Sequence, residues 1–210
     1  MSVFRMFQTP QNIRPRGKLS VKKITPPGPG WRWLLSNILR PAFVRGWLAY
    51  HVARPLAQLF GLLVICAKLE ARVIKADGRM INYGVLGYRV VTTAFVNFVV
   101  DQLQTETSVF GDFKYHDAGV GTTAENITDT GIETTDGESR ATGTQTESAS
   151  NAYRSVGTIT YTSTKAVTEH GLFNDATTGT LMDRTVFSAV NVVNGDSIQF
   201  TYTLTLSAGG

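Results

Sequence analysis

Residues 198–206 read Ile-Gln-Phe-Thr-Tyr-Thr-Leu-Thr-Leu. Ile198, Phe200, Tyr202, Leu204 and Leu206 fall on one side, and Gln199, Thr201, Thr203 and Thr205 on the other. A strict period of two over nine residues is the pattern of an antiparallel strand with one face in a core. Just upstream, Asn194-Gly195-Asp196 supplies residues that tolerate a left-handed backbone, after Val190, Val192 and Val193. That combination predicts a tight hairpin into the final strand.

The same pattern recurs upstream. Leu69, Ala71 and Val73 alternate with Glu70, Arg72 and Ile74 before Asp77-Gly78, a second hairpin signal, and a return strand runs from Met80 toward Val91. Thr92 or Thr93 then caps a helix near 92–104, with Phe95, Val96, Phe98, Val99 and Leu103 at helical spacing. Further strands are expected near Phe113-Lys114-Tyr115, over Ser155–Thr162 and over Ala166–Phe173. Residues 118–152 are rich in Gly and Thr and poor in large hydrophobes, which marks a long loop region or short exposed strands. About five or six strands after residue 105 suffice for an antiparallel β-sandwich with jelly-roll-like connections. The expected fold is therefore mainly β, a sandwich over 65–210 with one packed helix.

The first third is different. Residues 1–69 carry eleven Lys and Arg and no carboxylate, whereas 101–210 carry five basic and fourteen acidic residues. The two parts are built for different surroundings. Residues 1–30 read as an extended basic arm, interrupted by Pro10, Pro15, Pro26, Pro27 and Pro29. Residues 31–64 read as a Trp- and Arg-rich helical anchor, with short helices broken at Pro41 and again at Pro55. Trp and Arg dominate interface hot spots. The expected partner-binding residues are Arg14, Arg16, Lys18, Lys22 and Lys23 on the arm, and Trp31, Arg32, Trp33, Arg40, Arg45 and Trp47 on the anchor.

Other functions find little support. No organised nucleic-acid motif accompanies the positive charge, which argues against nucleic acid as the partner. The most apolar window, Leu56–Ala67, falls short of the roughly 20 residues that span a bilayer. An interfacial helix is compatible with 31–63, but membrane is not the favoured partner. The first thirty residues lack the apolar region of a secretory signal. His116-Asp117 beside Lys114 reads as a polar loop anchor, and His170 as a satisfied structural imidazole. One cysteine, Cys66, and three scattered histidines give no metal spacing, and no phosphate-cradling loop is present. Asp129, Asp136 and Glu138 read as solvated acids of the Gly-rich region. The expectation is a non-enzymatic chain without cofactor.

A broader likeness rests on Glu169, Gly171-Leu172-Phe173, Ala176, Gly179-Thr180-Leu181, Arg184-Thr185, Phe187, Gly195-Asp196, Ile198 and Leu204. Val90–Asp101, Lys114–Ala124, Arg140–Gln145 and Tyr153–Tyr161 extend it. Together they resemble the carboxy-terminal β-modules of tailed-bacteriophage virion proteins, over about residues 65–210. The resemblance implies a capsid decoration or cement protein, assembled in the bacterial cytoplasm and located in the virion. Its implied partners are the major capsid protein and copies of itself in a homotrimer. The alternative it implies is a tail or neck component, an adaptor or fibre module contacting tail proteins or a host receptor such as surface glycans.

Overall fold

The computed structural model describes residues 28–62, 64–88, 90–104 and 112–207. Ten strands form two antiparallel five-stranded sheets. The first holds β1 (Val64–Ile74), β2 (Met80–Tyr88), β6 (Thr144–Ala149), β7 (Ala152–Thr160) and β10 (Ser197–Ser207), in the order β2-β1-β10-β7-β6. The second holds β3 (Val90–Val91), β4 (Tyr115–Gly119), β5 (Ala141–Thr142), β8 (Lys165–Phe173) and β9 (Leu181–Val192), in the order β3-β9-β8-β4-β5. The connections β2 to β3, β5 to β6, β7 to β8 and β9 to β10 cross from one sheet to the other, so the chain stitches the sandwich from both ends.

The alternating run at 198–206 becomes the centre of the first sheet. β10 pairs along its length with β1, Phe200 opposite Ala71, and on its other side with β7, Phe200 opposite Gly157. Ile198, Phe200 and Tyr202 are fully buried. Between the sheets Ile198 and Phe200 share a cluster with Leu69 and Val73 of β1, Val167 of β8, and Phe187 and Val190 of β9.

The turn before β10 corrects the expected hairpin. β9 lies in the second sheet and β10 in the first, so Asn194-Gly195-Asp196 carries the chain across the sandwich. The physical reason is that both edges of β10 are already filled by β1 and β7. Gly195 takes a φ of +86°, and its N–H donates to the Tyr161 carbonyl at 2.8 Å. The buried Asp196 carboxylate accepts from Lys75 Nζ at 2.6 Å and from the backbone N–H groups of Ala76 and Val193, each at 3.0 Å. Burial works against its charge, but these donors prevail and hold its pKa below the usual aspartate value. It thereby ties the β1–β2 hairpin, which turns at Gly78 as read from the sequence, to the crossing into β10.

Helix α4 (Thr93–Gln104) starts where Thr92 accepts a hydrogen bond from the Phe95 N–H at 3.2 Å. Thr92 also donates its hydroxyl proton to the Leu181 carbonyl at 2.6 Å, which moors the cap to β9. Phe95 and Phe98 meet Phe113 edge-on, closing one end of the sandwich with Leu172, Met182, Tyr202 and Leu204.

The Gly- and Thr-rich region resolves into a loop over residues 120–140, followed by β5 and β6. The loop lies against the second sheet around a buried ion pair. Arg184 Nε donates to Glu169 Oε2 at 2.7 Å, while its terminal nitrogens reach Asp129 at 3.0 Å and Glu133 at 3.1 Å. Glu169 is fully buried and accepts the N–H groups of Gly121, Glu133 and Thr134. Burial opposes the guanidinium charge, and the bonds to Glu169 and Asp129 outweigh it, raising the arginine pKa above its ordinary value. Asp129 is thus an ion-pair partner and not simply a solvated acid.

Asp136, at the far end of this loop, is 2% exposed, and its Oδ1 accepts from the Glu138 N–H at 2.9 Å. This corrects its reading as a solvated acid: the local turn folds the carboxyl inward. Burial pushes its pKa up to about 6.

Two predictions follow from the loop. Removing one member of a buried, hydrogen-bonded ion pair leaves the other charge uncompensated, so Arg184→Ala is expected to cost about 3–5 kcal/mol in urea unfolding. The amides of Gly121, Glu133 and Thr134 should exchange faster in that variant. For Asp136, the folded pKa lies above the unfolded value near 3.8. Ionisation therefore opposes folding, and the resulting loss of stability grows as pH rises from about 4 to above 6. Asp136→Asn should gain about 1–3 kcal/mol at pH 7.5 and almost nothing at pH 4, read as the difference between two unfolding curves.

Candidate functional site

The helical anchor begins at Trp31 and comprises α1 (Trp31–Ile38), α2 (Pro41–Leu48), a π-helical turn over Ala49–Ala53, and α3 (Arg54–Leu59). Pro41 does what the sequence suggests, since it opens α2 in the first turn, where a missing N–H costs nothing. Pro55 departs from expectation. The helical path continues from 41 to 59, and the wider π turn absorbs the proline ring that would collide with a regular preceding turn.

Two side chains fix α1 to the sandwich. Trp33 donates its indole N–H to the Ser188 and Ala189 carbonyls of β9, at 3.1 and 3.0 Å, and meets Tyr83 of β2 edge-on at 4.7 Å. Asn37 is almost fully buried. Its Nδ2 donates to the Leu86 carbonyl at 2.8 Å and its Oδ1 accepts from the Ser188 N–H at 3.2 Å. Trp33 and Asn37 thus bridge one sheet to the other along the open side of the sandwich. Trp33 was expected to face a partner, but its ring is engaged within its own chain. Asn37 was missed, and the only signal was a lone amide inside an apolar run.

Trp31, Arg32, Arg45 and Trp47 are exposed. Trp31 is 67% exposed with Arg32 5.6 Å from its ring, and Trp47 is 43% exposed beside His51. Arg40 is half-buried; desolvation lowers its pKa while Glu125 pulls the other way. Arg45 lines a cleft with Tyr88, Glu125, Asn126 and Ile127. The structure therefore brings Arg40 and Arg45 to the 125–127 side of the domain and leaves Trp31 and Arg32 at the start of α1. Arg14, Arg16, Lys18, Lys22 and Lys23 lie outside the described residues. At the far end of the anchor Leu59 and Phe60 project at 75% and 76% exposure. Residues 28–62 thus combine large exposed apolar groups with four arginines and no carboxylate. Such a surface is suited to being covered.

The most catalytic-looking arrangement lies elsewhere. Ser155 Oγ is 2.8 Å from His116 Nε2, and His116 Nδ1 is 3.0 Å from His170 Nε2. The distances match a nucleophile, a base and an orienting group. All three are fully buried between the sheets, and His170 packs on Phe200 with centroids 4.5 Å apart. A Cβ built on Gly157 would lie 2.4 Å from His116 Cδ2, so even a methyl group has no room there. A reacting carbonyl has no place beside the serine. His116 is accordingly a core strand residue, which corrects its reading as a loop anchor; His170 is structural, as its place in a strand suggests. Among the described residues no group of three His, Cys, Asp or Glu is disposed to hold a metal ion. Nor is any described helix long and apolar enough to cross a membrane.

No family model, curated protein or solved structure matches this chain.

The two classes of tryptophan separate in a stability measurement. Trp33→Phe keeps the packing but loses the indole donor, and should cost about 1–2 kcal/mol in urea unfolding. Trp31→Ala should change stability by less than about 0.5 kcal/mol. Equal losses would mean that Trp31 is held by the fold as firmly as Trp33.

Proposed function

We propose that this chain is a non-enzymatic structural subunit of a bacteriophage particle, of the capsid decoration or cement kind. The observation that carries the reading is the exposed surface of α1–α3. Trp31, Trp47, Leu59 and Phe60 stand out beside Arg32, Arg40, Arg45 and Arg54 on a segment with no acid, moored by Trp33 and Asn37 to a closed sandwich. A neighbouring subunit with an apolar patch rimmed by carboxylates complements it. The sequence likeness to phage virion β-modules supports the assignment to a particle.

Such a protein works by repetition. Each copy contributes a modest contact, and many copies on one shell add up to a large resistance to internal pressure. Residues 1–30 add further positive charge to the same part of the chain. The tail or neck reading differs mainly in stoichiometry and gains some support from the long loop 120–140, stiffened by Arg184, at the surface of the second sheet.

The test is the copy number of the chain in purified particles, by quantitative mass spectrometry against the major shell protein. A ratio of the order of one copy per shell subunit, or one per few, is the expected result. A ratio of a few per hundred shell subunits would instead assign it to the tail, and absence from particles would overturn the structural reading. Particles carrying the Leu59→Ser, Phe60→Ser variant should retain far fewer copies after purification and lose heat resistance.

A further inference from the structure

The outer surface of the first sheet holds a row in which Arg154 of β7, Thr203 of β10 and Lys68 of β1 stand side by side. The register continues to Thr146 on β6 and to Tyr88 on β2. Alternation puts this row opposite the core residues Tyr202 and Leu204. Neighbouring strands lie about 4.8 Å apart, so the Arg154 and Lys68 backbones are about 10 Å apart with Thr203 midway. Two long cationic side chains on that spacing can converge on one anionic group above the threonine.

Thr203 itself points to a ligand. It is only 7% exposed and its hydroxyl makes no hydrogen bond, a state that is costly for a polar group. The cations are also available. Arg154 is exposed and forms no ion pair with any described residue, and the same holds for Arg72, further along β1 on this face. Lys68 pairs with Glu70 at 3.0 Å, but both are partly exposed, and such a pair is weak enough to exchange for a better anion. Glu70 is the one acid among these residues, so the face carries a net positive charge.

The rest of the face decides which anion. Thr201, Thr158, Thr160 and Gln199 add hydroxyl and amide groups on three neighbouring rows. At the Lys68 end, Tyr88 meets Tyr50 and His51, with ring centroids 5.2 and 5.5 Å away. Cations with hydroxyl partners and an aromatic border are what an acidic sugar needs: its carboxylate or sulfate goes to the cations, its hydroxyls to the threonines, and its carbon-bound hydrogens to a ring. The rings sit only at one end of the row, so the face offers no succession of platforms for stacked bases.

We propose that the Arg154–Thr203–Lys68 row binds an acidic sugar unit of a polysaccharide, with Tyr88 at its border. The inference goes beyond the docking role of α1–α3 and uses a different surface, so particle copy number does not bear on it.

The test is a titration of the full ¹⁵N-labelled chain with trigalacturonate, followed by amide shifts in two-dimensional NMR. Following individual amides separates this face from the basic arm. The amides of Lys68, Arg154 and Thr203 should move together, and maltotriose, which lacks the carboxylates, should leave them still. Arg154→Ala and Thr203→Val should each weaken the response at least tenfold. Thr203→Val should keep or raise the melting temperature, which a purely structural threonine would lower. Shifts confined to other residues, an equal response to maltotriose, or wild-type binding by Arg154→Ala would overturn the proposal. So would equally tight binding of inorganic sulfate alone, or tighter binding of a thymidine trinucleotide at the same amides.

Discussion

Arg184 is the charge around which the second sheet is organised. A guanidinium buried between a sheet and the loop that covers it is tolerable only when its donors are matched, and here Glu169, Asp129 and Glu133 match them. Glu169 in turn uses its oxygens on three backbone N–H groups of a loop that has few hydrophobes of its own. A segment of this composition would ordinarily lack the apolar burial needed to hold one conformation. Electrostatics substitutes for that burial, and the outer surface of the second sheet becomes a fixed loop instead of a mobile one.

The opposite side of the molecule is organised by neutral groups. Trp33 and Asn37 satisfy backbone carbonyls and an N–H on β2 and β9, so α1 behaves as part of the sandwich wall. The same helix sends Trp31 outward, and α3 ends in Leu59 and Phe60. The anchor is therefore divided residue by residue. Its inward side completes the fold, and its outward side is poorly suited to water. A description of residues 31–64 as simply a partner-binding segment misses that division, because tryptophan serves equally well as a core residue and as an interface residue.

Much of the architecture was legible in the sequence because period-two alternation is a direct consequence of strand geometry. Residues 198–206, the Asp77-Gly78 hairpin and the Thr92-capped helix all follow from local rules. The Asn194-Gly195-Asp196 turn shows where local rules stop. Its residues specify a reversal, while the choice of partner for β10 depends on β1 and β7, far away in sequence. His116 and Asp136 were misread for a similar reason. Each sits in a polar neighbourhood along the chain, and only tertiary packing turns its side chain inward. The basic row on the first sheet was invisible because Lys68, Arg154 and Thr203 meet only through strand register.

The position of β10 also shapes how the protein reaches this state. Its partners, β1 and β7, are separated from it by more than a hundred residues and by roughly forty, so the central ladder of the first sheet consists of long-range contacts. On the ribosome, β1 and β2 emerge early and wait as a hairpin with one edge open. Closing that edge requires a strand made well over a hundred residues later. Topologies of this kind fold slowly, and their half-built sheets are the species most exposed to pairing with the wrong chain. The mostly polar outward side of β1, with Lys68, Glu70 and Arg72, places charge beside that waiting edge, a device that discourages premature strand addition.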